Sequence, residues 1–434
     1  MHRIMFKNKT VQNAKWIIGC KILQSLLQLV VGMLSARYLG PSNYGLISYA
    51  ASVVAFVVPI MQLGMRSTLV QEYVSTPEKE GQILGTSLVL NLISSVACMI
   101  GVTVFAMASS AGDEVTILVC VLYSTQLIFQ ALEMLQCWFQ AKLMSKYASV
   151  AILGAYVVVS AYKIVLLATG KSVYWFALSH SVEYAIIGMA MILIYWRLGK
   201  QKITFSLEMA KGLFSRSKYY IISSMMVIVF QNTDHIMLKL MVGDAENGFY
   251  TTAATCTMVT SFVFTAILDS ARPTILESRK SSVAEFEKNI SRLYAIMIWL
   301  PLAQSLVFVL AAKPLIWILY GKSYFAAIPV LQILTWNLLF SYMGSVRNIW
   351  ILGEGKHNLL WRINFSGALV NVVLNAAMIP LWGACGAAAA TVLTQVFTNF
   401  LLGFLMKEMK PNNRLILQGT HPGILVDWIK ELRK

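Results

Sequence analysis

A chain of 434 residues with 58% hydrophobic and 12% charged residues, at a mean hydropathy of +0.67, is not a soluble domain, which would carry about 25% charged residues. Its formal charge of +16 does not mark a nucleic-acid binder. The Lys and Arg residues fall in short loops between apolar runs, where they set orientation and meet anionic lipid headgroups.

Apolar runs long enough to cross a hydrocarbon core recur along the whole chain. The N-terminal MHRIMFKNKTVQNAKW is basic but lacks the apolar segment and cleavage site of a signal peptide, so the first span is expected to stay. The fold expected is an all-α integral membrane protein of about twelve helices, near 16–36, 44–65, 83–108, 115–137, 147–169, 174–196, 218–241, 248–271, 293–312, 327–350, 360–381 and 384–406. One alternate set of loops holds most of the basic residues, among them Arg66, Lys79, Lys142, Lys146, Arg197, Lys200, Arg279, Lys280 and Lys356. The other holds only Arg37, Lys171, Lys239, Lys313 and Lys322. The Lys/Arg excess marks the cytoplasmic side, which puts both termini inside. The outer loops are all short, too short to build an enzyme site. Six cysteines stand singly in apolar segments (Cys20, Cys98, Cys120, Cys137, Cys256 and Cys385), so no disulfide framework or metal site is expected, and no cofactor.

A repeat is written into the hairpins. Gly40-Pro41-Ser42-Asn43-Tyr44-Gly45 joins the first two spans, and Gly243-Asp244-Ala245-Glu246-Asn247-Gly248 joins the seventh and eighth. The same spacing at the same topological position predicts two six-helix lobes of shared orientation. Their expected limits are 1–200 and 201–406, followed by a basic cytoplasmic tail, 407–434, that ends in LVDWIKELRK and suits a membrane surface.

Polar residues form stripes within the spans. Lys21, Gln24, Gln28, Gly32 and Ser35 share one face of the first, and Gln126, Gln130, Glu133, Cys137 and Gln140 one face of the fourth. Gln231, Asp234, His235 and Lys239 cluster in the seventh. Asn337, Ser341, Ser345 and Asn348 mark the tenth, Asn364, Asn371 and Asn375 the eleventh, and Thr391, Gln395, Thr398 and Asn399 the twelfth. Such groups are costly against lipid, and their recurrence over both halves predicts a shared wet cavity rather than interhelical hydrogen bonding alone. Asp234 and His235, a carboxylate beside an imidazole, are candidates for ion coupling, as are Glu133 and Glu183. Lys163 either contacts substrate or neutralises one of those glutamates. Asp269 and Arg272, three apart near a helix end, read as a local salt bridge.

The segments ARYLGPSNYGLISYA, DHIMLKLMVGDAENGFYTTAA, LYGKSYFAAIPVLQIL and ILGEGKHNLLWRINFSGALVNVVLNAAMIPLWGACGAAAAT, in this order, resemble the polysaccharide (O-antigen) repeat-unit flippases of the multidrug/oligosaccharidyl-lipid/polysaccharide (MOP) exporter superfamily. The resemblance implies two lobes around a central cavity, alternating access, and export of an undecaprenyl-diphosphate-linked oligosaccharide, a unit of O-antigen, capsule or exopolysaccharide. It further implies a bacterial inner-membrane location, membrane lipids as surroundings, and a polysaccharide polymerase and glycosyltransferases as partners in the same synthesis. The expected substrate-binding residues are Lys21, Lys163 and Arg347 for the diphosphate, and Gln28, Gln130, Asn371 and Gln395 for sugars. No catalytic residue is expected. Three alternatives stand beside this reading. A multidrug cation antiporter of the same superfamily would present carboxylates in the N-terminal half, where the first span here has Lys21. A peptidoglycan-precursor flippase belongs to relatives with more spans. A glycan polymerase or ligase would need a large outer loop.

Overall fold

In lipid, every backbone N–H and C=O has to be satisfied within its own segment, which leaves apolar spans like these only the helix or the closed barrel. The computed structural model describes residues 2–110, 112–199 and 201–424, and these contain helices and turns with no strand. Among the described residues, nine helices are long and apolar enough to cross a membrane, or ten if the bent pair Asp244–Met258 and Ser261–Ser281 is one span. Two of them, Gly19–Met61 with 43 residues and Asn358–Leu405 with 48, exceed the roughly 20 that one crossing needs. Each breaks once at a glycine of positive φ, Gly40 (φ 74°) and Gly383 (φ 53°). Divided there, and with the bent pair taken as one span, the described residues form twelve membrane segments, the number read from hydropathy.

The chain forms two compact units, Met1–Asn232 and Thr233–Lys434. The first holds α1 (His2–Met61), α2 (Arg66–Ser75), α3 (Glu80–Ser109), α4 (Glu114–Ser124), α5 (Gln126–Gln130), α6 (Leu135–Ala141), α7 (Ser145–Ala168), α8 (Val173–Leu198) and most of α9 (Leu207–Met241). Helices α4 to α6 are one span, interrupted by the 3-10 turn Ala131–Met134. The unit runs past residue 200 because the next segment is strapped onto the start of α3. Gly81 donates its N–H to Gln201 Oε1 (3.0 Å) and accepts from Thr204 N (3.2 Å), while Ser206 N donates to Thr86 Oγ1 (3.1 Å). A Cβ at Gly81 would strike the Lys202 carbonyl oxygen, and one at Gly85 that of Thr204. Farther on, Arg216 forks onto Glu72 at 2.8 and 3.2 Å, and Ser217 meets Thr68 at 2.7 Å. Lys200 lies outside the described residues.

The second unit continues with α10 (Asp244–Met258), α11 (Ser261–Ser281), α12 (Val283–Tyr320), α13 (Ala327–Leu334), α14 (Asn337–Gly353), α15 (Asn358–Val396), a π-helical turn at Phe397–Leu401, α16 (Leu402–Leu405) and α17 (Lys410–Gly419). Its core gathers Phe286, Tyr294, Met297, Val346, Trp350 and Ile363. Within the segment expected as a surface tail, α17 packs against α12. It buries Leu415 and Ile416, and Asn412 Oδ1 accepts from the Tyr294 hydroxyl at 2.8 Å. Residues 425–434, the LVDWIKELRK end, lie outside the described residues.

The predicted repeat reaches beyond one hairpin. In the first unit, the first, third and fifth turns between spans each carry a glycine of positive φ, at Gly40, Gly112 and Gly170. The second unit does the same at Gly243, Gly321 and Gly383.

Candidate functional site

Each unit carries a buried polar network around an acidic side chain. In the second it centres on Asp234, which α9 holds 3% exposed. Three donors from two helices, α10 and the two arms of α15 on either side of Gly383, converge on this carboxylate. Tyr250 of α10 and Thr391 of α15 each donate to Oδ2 at 2.6 Å, and Asn375 of α15 donates Nδ2 to Oδ1 at 2.5 Å. A second Asn375 bond, to Asn371 Oδ1 at 3.1 Å, ties in the next turn of the same face. A carboxylate accepts and does not donate while ionised, so three donors suit the charged form, which has no salt bridge to balance it. The Asn375 Oδ1 is buried without a partner. The cage therefore offers several oxygens and an uncompensated negative charge, which suits a proton or a small hard cation. Among the described residues no cluster of three His, Cys, Asp or Glu exists, so the site lacks the donors of a transition-metal centre.

His235 follows in sequence but faces other partners. Its Nδ1 lies 2.8 Å from Asn247 Oδ1, and its ring stands edge-on to Tyr250 with centroids 5.1 Å apart. Imidazole and carboxylate are thus linked through Tyr250 rather than by a direct hydrogen bond.

The first unit assembles its network from α1, α5, α7 and α8. Buried Glu183 lies beside the Tyr156 hydroxyl. That hydroxyl also receives Gln28 Nε2 at 3.4 Å and lies within reach of Gln24. Half-buried Lys163 is close enough for its charge to act on Glu183 without a direct ion pair. His180 leans on the Tyr123 ring with centroids 4.7 Å apart. Toward the α2 end, Glu133 accepts from Gln136 at 3.0 Å and from buried Gln130 at 3.5 Å, with Arg66 at 3.9 Å. Of the two partners expected for Lys163, Glu183 is the one whose charge it feels, and it forms an ion pair with neither.

The remaining expected residues stand apart. Lys21 is exposed on α1 and makes no hydrogen bond or ion pair. Arg347 is 5% exposed and serves the π-helical turn. Its Nη1 donates to the Thr398 carbonyl and to Asn399 Oδ1, both at 2.8 Å, and Asn399 in turn reaches Gln395 Oε1 at 2.5 Å. A π turn frees a backbone carbonyl that an α-helix would satisfy, and the guanidinium takes it up. Arg347 and Gln395 therefore belong to one structural chain within the unit, although the Arg347 Nε stays unpartnered.

What reading the sequence missed are the tyrosines. Tyr156 and Tyr250 sit at the centres of the two networks, yet aromatic residues count as apolar in a hydropathy profile. One signal was available. Tyr156, Ser160 and Lys163 follow one another at four and three residues, the spacing of a single helical face.

Twelve membrane segments among the described residues, with buried ionisable side chains in each unit, suit a transporter architecture, and comparison of the chain narrows it. The profile of a family described as polysaccharide biosynthesis protein matches residues 10–279. The chain belongs to this family. CapF, a capsular polysaccharide biosynthesis protein of Staphylococcus aureus, is 23% identical over 398 residues, 89% of this chain and 96% of CapF. An uncharacterized membrane protein of Methanocaldococcus jannaschii, MJ1068, is 27% identical over 272 residues. That match covers 58% of this chain and 53% of MJ1068, so it spans about half of that relative. Among solved structures, the lipid II flippase MurJ in an inward closed conformation superposes with a TM-score of 0.69 at 13% identity, over 95% of this chain and 92% of MurJ. That likeness is one of fold. The polysaccharide biosynthesis family and its MOP-type fold are those expected from the hairpin segments.

Proposed function

We propose that this protein is a flippase that carries an undecaprenyl-diphosphate-linked oligosaccharide from the cytoplasmic to the periplasmic leaflet of a bacterial inner membrane, with ion binding at Asp234 driving the cycle. The observation that carries this reading is the Asp234 cage, a buried carboxylate inside a membrane helix held by three neutral donors and balanced by no salt bridge. A structural role alone would be filled at lower cost by an amide or an apolar residue, because an ionised side chain within a span is expensive. Membership of a polysaccharide biosynthesis family and the fold shared with a lipid II flippase support a lipid-linked saccharide as cargo. Exposed Lys21 supplies a cation for phosphate, and Gln28, Gln130 and Asn371 supply amides for sugar hydroxyls. Lys163, set against Glu183, acts first as a partner within its own network.

The test is a leaflet assay in a strain whose polysaccharide requires this gene. Deletion is expected to strand lipid-linked repeat units on the cytoplasmic leaflet, and restoring the gene should return them to the periplasm. Normal leaflet distribution in the deletion strain rejects the proposal.

A further inference from the structure

The eighth span is broken, and its second half has a face that nothing above uses. Helix α10 ends at Met258, and α11 leaves the break at an angle of 47°. At the break, the Thr260 hydroxyl is buried without a hydrogen-bond partner. Interrupted backbone at membrane depth persists only where protein or water surrounds it. Beyond the break, Phe264, Leu268, Ala271 and Ile275 recur at intervals of four, three and four and pack into the core of the second unit. Thr265, Asp269 and Arg272 lie on the other side, and all three are exposed. Asp269 and Arg272 do not form the salt bridge that their spacing predicts, and neither side chain has any other partner. Two opposite charges three residues apart on a helix, neither satisfying the other, leave a guanidinium and a carboxylate open to a third party.

Depth says which one. The 15 residues of α10 rise about 22 Å, and Arg272, eleven residues into α11, lies roughly 17 Å farther along the helix. With the 47° bend, the rise along the α10 axis is about 34 Å, still more than the roughly 30 Å of hydrocarbon, which puts Arg272 at headgroup level and Asp269 about one turn deeper. We infer that this face of α11 is a docking site for the diphosphate and first sugar of a polyprenyl-linked saccharide, with Arg272 holding phosphate oxygens and Asp269 accepting sugar hydroxyls. The inference rests on the proposed function and deepens it. A guanidinium matches phosphate geometry with paired N–H donors. An ordinary anionic phospholipid brings a single phosphate, whereas a glycosylated diphosphate brings two for the guanidinium and a ring of sugar hydroxyls that offset the carboxylate by donating to it. Pairing of both side chains thus favours the glycolipid.

The experiment uses the full chain in nanodiscs and native mass spectrometry, with undecaprenyl diphosphate, the same lipid bearing one N-acetylglucosamine, and phosphatidylglycerol as probes. Wild type is expected to retain both diphosphate lipids, and R272A to lose at least tenfold in affinity for each. R272K should stay within threefold, while D269N should keep the bare diphosphate and lose only the gain from the sugar. Because both side chains are exposed and unpartnered, all variants should melt like wild type. Equal retention by R272A overturns the inference. So does displacement of the diphosphate lipid by phosphatidylglycerol at equal concentration, which marks a general lipid contact. Flipping in proteoliposomes is measured separately. Absence of flipping by a wild type that still binds the diphosphate through Arg272 rejects the proposed transport and leaves the docking site standing.

Discussion

Asp234 collects donors from Tyr250, Thr391 and Asn375, so replacing it by asparagine changes chemistry more than shape. The amide presents its own NH2 to groups that already donate, and at least one donor is left unpaired at a cost of about 1–3 kcal/mol. D234N is expected to lower saccharide export at least tenfold while most protein still reaches the membrane. Ion-gradient dependence in proteoliposomes should vanish with it, and unchanged gradient dependence would exclude Asp234 from coupling. Lys21, exposed and unpartnered, gives a cleaner test of charge: K21A should impair export and K21R largely spare it. Equal export by both removes Lys21 from the substrate path. At this scale the sequence was half legible. Helical spacing found Asp234, Asn371, Asn375 and Glu183, because a polar residue in an apolar run stands out. It placed Arg347 with the substrate cations, where the structure engages it with the Thr398 carbonyl. No periodicity announces a π turn, since the extra residue appears only when helices pack. The tyrosines escaped for the opposite reason: their rings pack like core residues, and only the hydroxyl is polar.

At the scale of helices, hydropathy located the spans well, because about 20 apolar residues in lipid have few alternatives to a helix. What it missed is how the ends are tied down. Those contacts are single hydrogen bonds and glycine clearances between distant residues, and they leave no local pattern. The strap on α3 depends on Gly81, where a methyl group would meet the Lys202 carbonyl oxygen. G81A is expected to destabilise the protein by about 1–3 kcal/mol, seen as a lower melting temperature and as new protease cleavage around residues 201–206. Helix α17 falls within 407–434, the basic stretch expected to rest on the membrane surface. Its Leu415 and Ile416 cover α12 all the same. Truncation after Met406 should therefore reduce the yield of folded protein several-fold by fluorescence-detected size exclusion.

The molecule as a whole reads as one six-span pattern used twice. Arg66 lies as far beyond Gly40 as Asp269 lies beyond Gly243, so the two halves put opposite charges at matching places while keeping the same turns. The uneven distribution of Lys and Arg is expected to orient all the spans together, with both termini inside. A C-terminal green fluorescent protein fusion should accordingly fluoresce, and alkaline phosphatase fused at Gly112 or Gly321 should be active. The reverse pattern would turn the whole topology over. The family was legible in the order of four loose segments, since hairpin turns and small-residue packing constrain sequence even at low identity. The cargo sugar was not, because amides and hydroxyls serve any saccharide.

The strap over Gly81 and Gly85 also bears on how the gene can be divided. Residues 201–206 are fastened to α3 by hydrogen bonds of their own, and Arg216 and Ser217 add further non-covalent ties to α2. Two fragments separated between Gly199 and Gln201, expressed from separate plasmids, should thus find each other and co-purify, with the downstream polypeptide supplying a missing edge of the upstream one.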